Sequence, residues 1–121
     1  MKKIVIDGEL TDLNKFIQSL KTNRWKGQSV KNDETERVAW DCKIQNIKPV
    51  LDYPIKIKYC WYSKDKRMDI DNVAFAKKFI NDGLKMAGVI IDDSRKFIAG
   101  FSDDFFIDKN RPRVEVFIES V

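Results

Sequence analysis

The stretch Ile55-Lys56-Ile57-Lys58-Tyr59-Cys60-Trp61-Tyr62 decides the fold, because apolar side chains recur at every second position along it. Successive side chains of a strand point to opposite faces, so Ile55, Ile57, Tyr59 and Trp61 share one apolar face. Such a face has to be covered by other elements of the chain. The segments before and after this strand therefore determine the architecture.

The upstream half predicts one strand and two helices. Residues 2–6 (KKIVI) form a short apolar strand, and Thr11 is the expected cap of a first helix that ends near residues 22–23. This helix has one apolar stripe at steps of three and four, made of Leu13, Phe16, Ile17 and Leu20. A basic loop over residues 24–31 leads into a second helix from about residue 32 to residue 46.

The downstream half predicts a helix and further strands. Apolar residues at steps of three and four indicate a helix from Asp71 or Asn72 to Met86, ended by Gly88. Residues 89–91 form a short extended segment, and residues 96–106 and 113–118 form a final pair of strands joined through residues 108–112. The order of elements predicts an α+β (mixed α/β) fold, in which about three helices cover a small mixed sheet. We expect residues 1–121 to form a single domain.

The composition is that of a folded, mildly basic protein. Apolar residues make up 43% of the chain, which is enough to build a core. The net charge of +4 and the pI near 9.0 permit a polyanionic partner without requiring one. No apolar run reaches the roughly 18 residues that span a bilayer, and acids interrupt the N-terminal residues before a signal peptide develops. We therefore expect a cytoplasmic protein with no membrane partner.

The chain contains no histidine, and this limits its chemistry. Histidine acid/base catalysis and nucleophiles of the Ser-His-Asp or Cys-His type are excluded. Cys42 and Cys60 lack CxxC spacing, so they are expected to be reduced core thiols rather than zinc ligands. An enzyme of this composition has to use carboxylates, lysines, tyrosines or a hard metal ion.

Two acidic pairs flank the third predicted helix. Asp69 and Asp71 precede it, where one aspartate is explained by helix capping and the second is not. Asp92 and Asp93 follow the helix and the short apolar segment, where an ordinary turn is the simpler explanation. A helix leading away and a segment leading back can bring the two pairs together. Such a cluster favours Mg²⁺, with Mn²⁺ as a substitute, and these ions can activate water for hydrolysis of a phosphodiester.

Basic residues near these acids are candidate contacts to phosphate groups. Lys78 lies two helical turns after Asp71, on nearly the same face, although it can instead form an ion pair with Asp82 four residues later. The loop over residues 24–31 combines cations with Trp25, a composition found both in nucleic-acid-binding loops and in ordinary loops. The predicted DNA-contacting side chains are Arg24, Lys26, Lys31, Lys64, Lys66, Arg67 and Lys77.

The chain resembles the RusA family of Holliday junction resolvases, small endonucleases encoded largely by phages and prophages. The resemblance covers roughly residues 55–118 and is strongest in KRMDIDN (residues 66–72), followed by FINDGLKMAGVIIDDS (residues 79–94). The family pattern is a basic run, Asp-x-Asp-Asn, a helix that carries a lysine and a terminal Asp-x-Leu, a glycine turn, an apolar run and Asp-Asp.

This resemblance implies a homodimeric, Mg²⁺-dependent nuclease that resolves four-way DNA junctions by paired symmetric nicks. Asp69 and Asp71 match the aspartates of the first motif, Asp93 matches the essential second aspartate of the Asp-Asp pair, and Asp92 matches its neighbour. The family lysine follows the first motif by one helical turn, where this chain has Phe75. Alignment from the Asp-x-Leu element places that lysine at Lys78 instead, with Lys77 as the alternative.

Two other functions are compatible with the residues. A nonenzymatic DNA-binding or regulatory module would use the same cations without a divalent ion. A nuclease for another branched or single-stranded substrate would share the acidic site and differ only in substrate geometry.

Overall fold

A computed structural model describes residues 1–121. The elements in chain order are β1 (Lys2–Asp7), α1 (Leu13–Thr22), α2 (Arg24–Ile44), β2 (Ile55–Ser63), α3 (Ile70–Ala74), α4 (Lys77–Met86), β3 (Ile98–Ile107) and β4 (Arg113–Ser120). Four strands and three longer helices form one α+β unit, as predicted, and α3 adds one short helix of five residues.

The four strands form one mixed sheet in the order β1-β4-β2-β3. β4 runs antiparallel to both of its neighbours, whereas β2 and β3 run parallel. The predicted final strands β3 and β4 both exist, but they do not pair with each other because β2 lies between them. Residues 108–112 therefore connect strands on either side of β2 instead of closing a hairpin.

One face of the sheet forms the core. The alternation predicted for β2 is confirmed, since Ile55, Ile57, Tyr59 and Trp61 are each at most 2% exposed. They belong to a cluster of 19 buried residues that joins the sheet to α2 and α4. The opposite face is polar and ion-paired, and Cys60 is the buried residue that β2 places there. Both cysteines are free and buried, as expected.

Helix α2 begins eight residues earlier than the sequence predicted. Residues 24–31 are helical rather than a loop, and the chain turns at Asn23, whose side chain accepts a hydrogen bond from the Lys26 backbone N–H at 2.8 Å. Gly27 indicated a loop, but it lies against α1: a Cβ there would stand 2.2 Å from Leu20 Cδ2. The glycine thus allows close packing of two helices. The cap of α1 is also one residue later than predicted, at Asp12, which accepts from the Lys15 N–H at 2.9 Å.

The predicted helix over residues 71–86 is interrupted. Helix α3 ends at Ala74 and α4 begins at Lys77. Between them the backbone forms hydrogen bonds of the 3₁₀ type, in which an N–H bonds to the carbonyl three residues earlier, such as Ala76 N–H to Val73 C=O at 3.3 Å. The ring of Phe75 packs against Phe79 at a centroid distance of 5.5 Å. The expectation that Asp71 and Lys78 share the face of one continuous helix is therefore wrong.

The segment over residues 89–91 is not a strand. The side chains of Val89 and Ile90 are buried in the core, at 1% and 2% exposure. The Val89 carbonyl oxygen accepts a hydrogen bond from the Val50 backbone N–H at 2.8 Å. The chain returns toward the sheet in this segment, as predicted, but its backbone is irregular rather than extended. None of the helices is both long and apolar enough to cross a membrane.

Candidate active site

Asp69 stands at the cap position of α3 without capping it. Its backbone is extended, and its side chain makes no hydrogen bond to the first turn of the helix. Asp71, in that first turn, accepts from the neighbouring Asn72 N–H at 3.0 Å. Both side chains are exposed. Capping therefore does not explain Asp69, and the carboxylate is free to bind a ligand.

Asn72 fixes this motif to the rest of the protein. Its side-chain oxygen accepts a hydrogen bond from the Asn14 backbone N–H at 2.9 Å, in the first turn of α1. The first N–H groups of a helix have no partner within the helix, so this bond satisfies one of them. The contact holds α1 beside the acidic motif.

The second acidic pair lies along α4. Lys85 is 3.3 Å from Asp92 and 3.5 Å from Asp93, and Lys78 is 3.7 Å from Asp93. Lys78 also pairs with Asp82 at 3.3 Å, as the simpler interpretation of the sequence expected. The structure thus places Asp93 beside Lys78, two residues that the sequence predicted for one site.

Local hydrogen bonds keep Asp92 ionised. The backbone N–H of Asp93, followed by the Lys85 ammonium, lowers the pKa of the Asp92 carboxyl below its usual value. The same contact, led by the hydrogen bond to Asp92, raises the pKa of Lys85. This corner of the site is therefore an ion-paired set of carboxylates and ammonium groups at neutral pH.

The predicted four-aspartate cluster is not assembled. No group of three or more acidic or thiol side chains lies close enough together to hold a metal ion. The available donors, Asp69, Asp71, Asp92 and Asp93, are all carboxylates, the ligand type that Mg²⁺ and Mn²⁺ take. The donor type fits such an ion, but the structure does not bring the four carboxylates together.

Asp103, which sequence reasoning missed, lies at the centre of a second polar contact. Its two carboxylate oxygens accept from Trp61 Nε1 at 2.8 Å and from Lys77 Nζ at 2.7 Å. The Lys77 ammonium also lies 3.7 Å from the centroid of the Phe101 ring. Lys77, predicted to contact DNA, is 15% exposed and held by this carboxylate. The available signal was alternation, because Asp103 interrupts an apolar face between Phe101 and Phe105.

The hydroxyl of Tyr59 is influenced by the charges of both Asp93 and Asp103. Burial raises the pKa of the Tyr59 hydroxyl, and the negative charges of Asp103 and Asp93 raise it further, against a lowering contribution from the hydrogen bond to Asn81. The hydroxyl donates to Asn81 Oδ1 at 2.5 Å. Tyr59 therefore stays protonated and lies within electrostatic reach of both carboxylates.

A groove of about 470 Å³ opens beside Asp69. Its lining includes Lys66, Asp69 and Ile70 on one side and Phe105 and Ile107 of β3 on the other. Of the predicted phosphate contacts, Lys66 lines this groove, and Lys64 and Arg67 are exposed residues of the same segment. Arg24 and Lys26 are exposed at the start of α2, and Lys31 is half-buried further along that helix. Arg67 also pairs with Asp65 at 3.6 Å.

No protein-family model matches the chain, and a search of curated proteins returned no match either. The class of protein therefore has to be argued from the residues and from their arrangement.

Proposed function

We propose that the chain is a Mg²⁺-dependent endodeoxyribonuclease that resolves four-way DNA junctions by paired symmetric nicks. The observation that carries the proposal is the side chain of Asp69, which stands at a helix cap without capping and lines a groove that also contains the exposed Lys66. A carboxylate with no structural partner beside a basic surface is what binding of a metal ion and a phosphodiester requires.

Asp69, Asp71 and Asp93 would hold the ion, with Asp92 as an additional ligand. When bound, Mg²⁺ supplies positive charge that stabilises a phosphodiester under attack and lowers the pKa of a coordinated water. Asp69 and Asp71 form no ion pair, whereas Asp92 and Asp93 are paired with Lys85 and Lys78, so an ion bound by all four carboxylates would have to replace those lysine contacts.

Lys78 would act on the DNA phosphate. In the free protein its ammonium is shared between Asp82 and Asp93, at 3.3 and 3.7 Å, and is 56% exposed. Both contacts are long enough and exposed enough to be exchanged for a phosphate oxygen at small cost. Lys77 fits this role less well, because Asp103 and Phe101 hold its amine on the inner side of α4.

The remaining cations would position the substrate. Lys64, Lys66 and Arg67 are exposed in the segment that precedes Asp69, and neutralising phosphates with such side chains gives affinity without base specificity. A four-way junction has twofold symmetry, which a homodimer with one site per subunit would match.

The test is cleavage of a synthetic four-way junction and a linear duplex of the same sequence, with Mg²⁺ or EDTA. We expect symmetric nicks in the junction with Mg²⁺, and none with EDTA or in the Asp93→Asn variant. Asp104→Asn is the matched control, because Asp104 is an exposed carboxylate that pairs with Lys58 on the opposite face of the sheet. The control variant should cut like the wild type.

Three results separate the alternatives. Tight junction binding without cleavage in any divalent ion would replace the proposal with a nonenzymatic binding module. Cleavage of flaps or single strands in preference to the junction would keep the site and change the substrate. Loss of cleavage in Asp104→Asn equal to that in Asp93→Asn would remove the argument for this site.

A further inference from the structure

The hairpin of α1 and α2 carries a separate concentration of positive charge. Residues 13–32 contain Lys15, Lys21, Arg24, Lys26 and Lys31 and no acidic residue, so the segment has a charge of +5. The whole chain has a charge of +4, which leaves −1 for all other residues together. The net positive charge of the protein therefore lies in this hairpin, and its natural partner is a polyanion.

An exposed tryptophan lies within this charge. The side chain of Trp25 is 72% exposed, and the Arg24 guanidinium lies 5.0 Å from the centroid of its ring. Single exposed apolar residues are common on proteins, but here Ile17 and Leu20 on the adjoining surface of α1 are also 40% and 45% exposed. An aromatic ring surrounded by cations is the arrangement with which proteins hold unpaired nucleotides.

A groove is already formed at this position. It has a volume of about 380 Å³, with Phe16 and Leu20 as its apolar part and Arg24, Trp25, Gln28 and Lys31 as its border. At Gly27 the Leu20 side chain occupies the space that a Cβ would need, so the two helices pack against each other at the floor of this groove. The groove therefore needs little rearrangement to accept a flat aromatic ligand.

The hairpin is also connected to the acidic motif. Phe16, in the apolar part of the groove, packs against Phe75 at a centroid distance of 5.3 Å, and Asn14 at the other end of α1 is bonded to Asn72. From Asn14 to the end of α1 the rise is about 12 Å, at about 1.5 Å per residue. This length corresponds to roughly four nucleotides of a stacked strand, which rises about 3.4 Å per nucleotide along its axis. A strand that passes Asn72 can therefore reach Trp25.

We infer that the α1–α2 hairpin binds unpaired nucleotides of DNA, with Trp25 as the ring on which a base stacks and with the surrounding cations on the adjacent phosphates. The inference deepens the proposed function, since it names the part of a branched substrate that the hairpin would bind. The site lies outside the acidic groove, so binding there requires neither a divalent ion nor cleavage.

Trp40 provides a matched control. It lies on the same helix and is 64% exposed, close to the value for Trp25, but its neighbours are of mixed charge: Glu36, Arg37, Asp41 and Lys43. Loss of either ring removes an exposed side chain and leaves the core unchanged. The two alanine variants therefore differ mainly in the charge that surrounds the lost ring.

The experiment measures fluorescence anisotropy of a labelled fifteen-nucleotide oligo(dT) with the full chain in EDTA, across a salt series. We expect Trp25→Ala to weaken binding about tenfold, because stacking on one base is worth about that factor. Trp25→Phe should retain most of the affinity, and Trp40→Ala should bind like the wild type. The salt dependence should be unchanged in Trp25→Ala and shallower in Lys26→Gln, which loses a phosphate contact.

Equal affinities of Trp25→Ala and Trp40→Ala for oligo(dT) would overturn the inference. Equal weakening of single-stranded and duplex binding by Trp25→Ala would also overturn it, since base stacking requires an unpaired base. If Trp25→Ala weakens binding to vesicles of phosphatidylcholine and phosphatidylserine but leaves the affinity for oligo(dT) unchanged, the surface would be assigned to membranes instead. Junction cleavage is scored separately, so failure of the nuclease proposal leaves this measurement interpretable, and the reverse also holds.

Discussion

Gly83 is the position at which the packing of α4 on α2 can be tested most directly. A Cβ at this residue would stand 2.5 Å from both Cβ and Cγ1 of Val38, and 2.9 Å from the Thr35 carbonyl oxygen. Two of these three atoms cannot move away by a change of rotamer, because one is backbone and the other is fixed to it. Gly83→Ala must therefore push the two helices apart.

The size of the effect follows from two opposing contributions. Replacing glycine by alanine within a helix stabilises the folded state by about 1 kcal/mol. Forcing an extra carbon into a well-packed contact costs about 1–3 kcal/mol, and the immobile neighbours place this case at the upper end. We expect a net loss of about 1–2 kcal/mol, which for a domain of this size lowers Tm by about 4–8 °C.

The assay is urea unfolding followed by far-UV circular dichroism, together with calorimetry. Gly100→Ala is the control, since a Cβ there meets no atom within 4 Å, and its Tm should equal or exceed that of the wild type. A Gly83→Ala protein as stable as the wild type would refute the close approach of α4 to α2.

Three further results are expected. Asp103→Ala should lose about 2–3 kcal/mol in urea unfolding, because it leaves the nearly buried Lys77 ammonium without its partner, whereas Asp104→Ala on the exposed face should lose less than about 0.5 kcal/mol. Tyr59 should be the last tyrosine to ionise in an absorbance titration, because its pKa is raised in the folded protein. The stability that its protonated hydroxyl contributes should therefore be complete below pH 10.0 and should fall at higher pH. The Tyr59→Phe variant should show a smaller decline. Burial raises the pKa of Cys42 to about 11, so its thiol should react with a disulfide reagent only after unfolding; modification of the native protein within minutes would contradict its burial.

Local patterns predicted those elements whose side chains repeat with a regular period. The alternation of residues 55–61 and the apolar run of β1 each specify a strand without knowledge of the rest of the chain. Gly27 shows the limit of this reasoning, because glycine favours loops in isolation. Only the packing of Leu20 against Gly27 shows that this glycine belongs to a helix. Tertiary contact decided the conformation there, and a single sequence does not display it.

In the candidate site, too, local sequence patterns predicted some contacts, and others depend on the tertiary structure. The pairing of Lys78 with Asp82 follows from helical spacing, and Asp93 was assigned to the neighbourhood of Lys78 through the order of the motifs. The partner of Lys77 could not be found in that way, because Asp103 is 26 residues distant and reaches it only through the pairing of β3 with β2. The strand order itself was beyond prediction, since the five-residue connection over 108–112 is equally suited to a hairpin.

The position of β4 has a consequence for how the chain folds during synthesis. Residues 113–120 form the strand between β1 and β2, so the ladder that joins β1 to the rest of the sheet uses residues that are made after every other helix and strand of the fold. Until they leave the ribosome, Ile4 and Ile6 have no strand against which to pack. The nascent chain must therefore hold its first strand unpaired while the helices assemble. Contacts of such long sequence separation form slowly, which makes closure of the sheet the late step of folding.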